Sequence, residues 1–305
     1  MRKGRILALL VLAVIIAGAA KYWTLVKDVP VGIEEKPYSA IYASAMYGDD
    51  KIEDLKQSGL TTLVLFTIHI NKDGSMNFND TPIINNQGEY IGPAEWPENV
   101  KAHREGVSSI NRIEICLGAW GSPSYENISS LMAEYGQSPD NPLFKGWQTL
   151  KELTGADAIN HDDEKTFDVE STTEFILMTE KLGFGHTFVP YNNLDEFWKP
   201  LFDRVEAESP GLIDRVYVQC YDGGAPNLYF INRWNVFGDM KVSMGLWAQR
   251  PDGSKDAPDV FYKKIKKNAR FVDGGFIWEY NEMLNNPDGY KVAEYSEAIS
   301  NALKE

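Results

Sequence analysis

The chain has 305 residues, of which 43% are hydrophobic and 24% charged, the proportions of a globular protein that buries a core. Its formal net charge of −14 argues against a nucleic-acid partner, because phosphate-backbone binding needs clustered Lys and Arg. Cys116 and Cys220 are too few for a disulfide framework, and no pair among the four histidines sits at ligand spacing, so neither a metal nor another cofactor is expected.

The first 20 residues stand apart. Arg2, Lys3 and Arg5 give a positive start, residues 6–16 form an unbroken apolar run, and Ala17-Gly18-Ala19-Ala20 offers small residues for a signal-peptidase cut. The apolar stretch 6–20 is shorter than the roughly 20 residues of a spanning helix. The expected organisation is a signal peptide over 1–20, a tether over 21–36 and one domain over 37–305. The expected fate is export to the cell surface, the periplasm or the medium, with membrane attachment only if the segment is kept as an anchor.

From residue 38 onward, short apolar runs alternate with segments of helical spacing. The runs are 38–43, 62–68, 112–117, 156–162, 186–190, 215–221, 241–246 and 274–278. The helical segments are 50–58, 98–109, 124–135, 171–182, 194–207, 229–237, 258–268 and 290–302. Eight strands, each followed by a helix, predict an α/β fold with a parallel sheet closed as a single (β/α)8 TIM barrel, and such barrels run to about 250 residues as one domain. A doubly wound open sheet is the alternative, but it normally carries a Gly-rich turn after its first strand, and Ala43-Ser44-Ala45-Met46-Tyr47 is not one. Residues 71–97, rich in Asn, Asp, Gly and Pro, read as a long loop on the catalytic face with room for a small hairpin.

The fourth strand ends in Asp157-Ala158-Ile159-Asn160-His161-Asp162-Asp163-Glu164. Side chains alternate across a strand, so Asn160, Asp162 and Glu164 share one face, His161 and Asp163 the other. The C-terminal strand ends of such a barrel carry its chemistry, and two carboxyls side by side raise the pKa of one, which then serves as a general acid. Trp120, Trp247 and Tyr191 lie near other strand ends, where a sugar ring stacks. Trp96, Trp198 and Trp234 are read as packing residues, and His69, His161 and His186 as packing or surface histidines rather than metal ligands.

At these residues the sequence resembles glycoside hydrolase family 18, the chitinases and endo-β-N-acetylglucosaminidases. The family signature Asp-x-x-Asp-x-Asp-x-Glu on the fourth strand is met at Asp157, Asp162 and Glu164, with Asn160 in place of the middle Asp. Ile115-Cys116-Leu117-Gly118-Ala119-Trp120 looks like the family's third-strand motif, Val218-Gln219-Cys220-Tyr221-Asp222 like its sixth strand, and Gly274-Gly275-Phe276-Ile277-Trp278-Glu279-Tyr280 like its eighth. The resemblance implies a secreted hydrolase of β-1,4 linkages at N-acetylglucosamine, with the 2-acetamido group as nucleophile. It implies Glu164 as proton donor, Asp162 holding the acetamido N–H, Tyr221 donating its hydroxyl to that group with Gln219 beside it, and Trp278 as the floor under the sugar.

Two departures bear on the activity. Asn160 can donate a hydrogen bond to Asp162 but cannot take up its charge, so Asp162 is expected to stay ionised with the Asn160 amide against it. Asp163, just before Glu164, resembles the endoglycosidases that cut N-glycan cores. The alternative function is a lectin-like glycan-binding protein on the same barrel. Such relatives commonly lack the Glu or the Asp before it, and this chain keeps both.

Overall fold

The strands that the alternation predicts pair edge to edge until the last meets the first. The computed structural model describes residues 37–248, 256–285 and 289–304; the expected signal peptide and tether lie outside the described residues. The strands are β1 (Tyr38–Ala43), β2 (Thr62–Ile70), β3 (Met76–Phe78), β4 (Thr81–Ile84), β5 (Arg112–Gly118), β6 (Ala158–Asp162), β7 (Gly185–Phe188), β8 (Ile213–Gln219), β9 (Val242–Trp247) and β10 (Val272–Trp278). β1 pairs in parallel with both β2 and β10, and the order β1-β10-β9-β8-β7-β6-β5-β2 closes an eight-stranded parallel barrel. The remaining two strands form a hairpin in the 71–97 stretch, with β3 antiparallel to the outer end of β2.

The helices are α1 (Asp49–Lys56), α2 (Trp96–Ala102), α3 (Ser124–Tyr135), α4 (Pro142–Thr154), α5 (Val169–Glu180), α6 (Lys199–Glu208), α7 (Asn227–Phe230), α8 (Pro258–Asn268), α9 (Tyr280–Leu284) and α10 (Val292–Leu303). The sequence reading missed α4, although its boundaries follow local rules. Asn141 caps its first turn by accepting from the Leu143 N–H, Pro142 fits the first helical position, and Gly155 ends it at φ 64°. The helix expected over 229–237 is instead the single turn α7 followed by a 3₁₀ turn, Ile231–Trp234. The Asn227 side chain is committed there to the Tyr191 and Gln219 carbonyls, which ties this segment to the strand ends.

Two apolar shells follow from strand alternation. Ile41, Leu63, Ile115, Ile159, Val218 and Ile277 point outward into the layer under the helices, while Tyr42, Val64, Cys116, Tyr217 and Phe276 fill the barrel. Gly245 makes that filling possible, because a Cβ there would lie 1.9 Å from the Phe276 ring. The two cysteines fall in different shells, Cys116 inside and Cys220 outside, and both are free thiols. His161 and His186 are buried behind β6, where Tyr125 Oη, the two rings and Thr179 Oγ1 form a chain of 2.9, 2.9 and 3.3 Å contacts. They are packing residues, as are Trp96, Trp198 and Trp234.

Candidate active site

β6 carries its alternation to the barrel rim and beyond. Asp162 is its last residue, and Glu164 follows on a turn fixed from both sides. The Asp163 carboxylate accepts from the backbone N–H groups of Lys165, Thr166 and Phe167 at 3.0, 2.8 and 2.7 Å. Asp168 then caps α5 through the Glu170 and Ser171 N–H groups. Across the rim, the turn after β5 comes close to the Asp162 carbonyl, which accepts from the Ala119 N–H at 2.8 Å. A Cβ at Gly118 (φ 109°) would lie 2.5 Å from that carbonyl oxygen.

These elements surround a cavity of about 510 Å³ at the C-terminal ends of the strands, a size typical of ligand sites. Asp162, Glu164, Tyr191, Gln219, Tyr221, Trp120, Trp247 and Trp278 all line it. Trp278 and Tyr221 are nearly parallel, with ring centroids 6.2 Å apart, and Phe66 meets the Trp278 edge at 4.7 Å. Trp247 adds a third wall, 5.8 Å from Tyr221, and its indole N–H is held by Glu282. Trp120 is 84% exposed at the mouth, a flat apolar face open to solvent.

The two carboxyls lie close enough in this aromatic enclosure for each to act on the other's ionisation. Burial pushes the Asp162 carboxyl well above the usual carboxylate range, and the charge of Glu164 pushes the same way. Glu164 is also raised, first by burial, against the opposing pull of the Gln219 and Asp162 hydrogen bonds. Two adjacent carboxyls that both resist ionisation hold one proton between them over a wide pH range, and that proton belongs to the pair. Gln219 Nε2 faces both, at 3.3 Å from Asp162 Oδ1 and 3.5 Å from Glu164 Oε1, while donating to the Val189 carbonyl at 3.0 Å. The Tyr221 hydroxyl has no hydrogen-bond partner among the described residues, and burial with the two carboxyls keeps it protonated. It is a donor with nothing yet to donate to.

Asn160 corrects the sequence reading. It is 0% exposed, does not line the cavity and makes no hydrogen bond to Asp162. Its Nδ2 donates to Thr187 Oγ1 at 2.8 Å and its Oδ1 accepts from the Tyr42 hydroxyl at 2.9 Å. The reason is spacing: residues i and i+2 lie about 6.6 Å apart along a strand, whereas neighbouring strands lie about 4.8 Å apart, and Thr187 is the register partner of Asn160 on β7. The expected contact between the Asn160 amide and Asp162 is therefore not made, and the amide that faces Asp162 is that of Gln219.

His69 joins the site without having been singled out for it. Expected to be a packing or surface histidine, it lines the cavity, with Nδ1 3.1 Å from Ser122 Oγ. A bulge in β2 between Leu65 and Ile68 shifts its pairing, so Ile68 and Ile70 join the outer shell and Thr67 and His69 turn to the cleft. Asn79, at the β3–β4 turn, also reaches the cavity, and its Nδ2 clamps the Ser44 and Phe66 carbonyls at 2.8 and 3.0 Å. Asn79 (φ 50°), Ala119 (80°) and Asp222 (48°) are non-glycine residues with left-handed backbone, and all three line the cavity. Such conformations cost about 1–3 kcal/mol each and cluster at functional sites.

No family model matches the sequence, and no curated protein matches it. Solved structures do match. A family 18 chitinase, ChiB of Flavobacterium johnsoniae, superposes with TM-score 0.60 at 13% identity, covering 86% of this chain and 94% of that one. The spore cortex-lytic enzyme SleL of Bacillus cereus gives TM-score 0.60 at 12% identity over 90% and 76%. A family 18 chitinase of Cycas revoluta, in complex with (GlcNAc)3, gives 0.55 at 10% over 87% and 99%. The barrel, its closure and its strand order are therefore those of a (β/α)8 fold that these chitinases share.

Proposed function

We propose that this chain hydrolyses β-1,4 linkages next to N-acetylglucosamine by a retaining, substrate-assisted route. The observation that carries the reading is the placement of Asp162 and Glu164 together at the mouth of the barrel, both facing Gln219 Nε2 and both lining one aromatic cavity. That the Cycas revoluta neighbour holds (GlcNAc)3 supports this ligand class.

Glu164, the less buried member of the pair, gives its proton to the departing glycosidic oxygen. The carbonyl oxygen of the substrate's acetamido group closes onto the anomeric carbon from the other face, forming an oxazolinium ion. Asp162 accepts the acetamido N–H and offsets the positive charge, and the free Tyr221 hydroxyl donates to the acetamido oxygen. Water then attacks the same carbon while Glu164, now ionised, takes its proton. Two displacements at one carbon retain its configuration. Trp278 and Tyr221 form the wall against which the sugar lies, and Trp120, Trp247 and Tyr191 contact flanking units. We further propose that residues 1–20 direct export of the chain.

Incubation with chitin oligomers and with a high-mannose glycoprotein, followed by mass spectrometry, tests the reading. Shortened oligomers or a released N-glycan are expected. Oligomer binding without any product would replace the hydrolase by the lectin-like alternative.

A further inference from the structure

Below the catalytic pair lies a polar layer that takes no direct part in the proposed chemistry. Its centre is Glu114 on β5, fully buried inside the barrel. Four donors converge on this carboxylate. Arg112 Nε (2.7 Å), the Tyr217 hydroxyl (2.9 Å) and the Tyr38 hydroxyl (3.3 Å) reach Oε1, and Thr187 Oγ1 (2.7 Å) reaches Oε2. Burial raises this carboxyl while Arg112 and the Thr187 hydrogen bond pull it back, and four donors converging on a carboxylate's roughly four acceptor sites fit its ionised form. The Arg112 guanidinium, which also grips Asp214 at 2.7 and 2.9 Å, supplies the balancing charge.

The direction of the bonds matters more than their number. The Thr187 hydroxyl has one proton, and Glu114 takes it. Towards Asn160, Thr187 can therefore only accept, and Asn160 Nδ2 donates to it. The other end of that amide, Oδ1, accepts from Tyr42. Donation thus runs one way, from Tyr42 to Asn160 to Thr187 to Glu114. Tyr42 lines the cavity, and its ring lies 5.6 Å from that of Trp278, the proposed floor of the sugar site.

We propose that Glu114, Thr187 and Asn160 are positioning residues that fix Tyr42, and through it Trp278, by a one-way hydrogen-bond chain, and that this chain requires a donor, hence Asn and not Asp, at position 160. The positioning role rests on the hydrolase reading above; the polarity of the chain does not. An Asp at 160 has no proton to give Thr187 unless it is neutral, so it would stand as a second buried anion near Glu114.

The chain can be reversed by design. In Asn160→Asp the new carboxyl has a folded-state pKa above its unfolded one, so the penalty is absent below the unfolded pKa and grows as pH rises. The melting temperature of Asn160→Asp should match wild type near pH 4 and fall below it by roughly 5 °C or more at pH 8. Adding Glu114→Gln should restore it, because the Gln amide donates to Thr187, which is then free to donate to Asp at 160. On chito-oligosaccharide, Thr187→Val should lower kcat/KM about tenfold, about one hydrogen bond's worth, and Thr187→Ser should recover it. Asn160→Asp melting like wild type at every pH, or a double variant no better than the single, would overturn the chain's polarity. Full kcat/KM in Thr187→Val would overturn the positioning role. A wild type without turnover would overturn the hydrolase reading and the positioning role together, while the melting data still decide the polarity.

Discussion

Replacing Gln219 by Met keeps the side chain's length and removes its two N–H donors, which isolates what the amide does for the catalytic pair. The contacts to Asp162 and Glu164, at 3.3 and 3.5 Å, are at the long end for a hydrogen bond. We therefore take the low end of the range for bonds to charged groups, about 1.5 kcal/mol, or roughly tenfold in kcat/KM. The sign of the pH effect follows from what the donors stabilise. They favour the ionised carboxyl, and the Gln219 bond pulls Glu164 down against its burial. Without it, both macroscopic ionisations of the pair move up, and so does the whole bell of kcat/KM against pH, because the active form carries one proton between the two groups. The assay is a pH–rate profile on one chito-oligosaccharide for wild type and Gln219→Met, with melting curves to show that both are folded. An unshifted bell with a rate within about twofold of wild type would show that Gln219 does not set the pair's ionisation, contrary to this reasoning.

If the acetamido group is the nucleophile, cellulose fragments of matching length should be inert and a thiazoline mimic of the oxazoline should inhibit competitively; turnover of cellulose fragments at comparable rates would point to a different second residue. Cys116 and Cys220 are raised by burial and sit in separate shells, so both should react with a thiol reagent only on unfolding, and a disulfide in a non-reduced peptide map would contradict the strand registers. His161, lowered to about 3, and His186, well below its usual value, are both kept neutral, chiefly by burial. The unfolded chain protonates both below about pH 6.5, so each removes up to roughly 1.4 kcal/mol per pH unit from there towards pH 3. Wild type should therefore lose melting temperature faster than His186→Gln between about pH 6.5 and pH 4.5, and equal slopes would refute the assignment.

Much of this was legible because β-strand alternation is a local rule. The barrel strands were readable from their apolar runs, and β1 falls on the residues expected. The shared face of Asp162 and Glu164 was readable too, since the alternation continues past the end of β6. What escaped depended on neighbours distant in sequence. The bulge in β2 inverts the alternation after Phe66, and nothing in the local sequence reports that it turns His69 to the cleft. The partner of Asn160 is set by register with β7, which nothing in residues 157–164 reports. Asp163, read as a hint of substrate preference, holds the turn that carries Glu164. By contrast, the signals that bound α4 are local ones, at Asn141, Pro142 and Gly155.

The account stands on Glu164 as the acid of a substrate-assisted hydrolysis, and one NMR experiment addresses it. Wild type and Glu164→Gln are each given a chito-oligosaccharide, and the anomeric protons of the product are followed from the first minutes. Wild type should release the β-anomer first, which then equilibrates. Glu164→Gln should bind the oligomer with nearly unchanged affinity and cleave it about 10²–10⁴-fold more slowly. An initial α-anomer, or a Glu164→Gln variant as fast as wild type, would contradict the account.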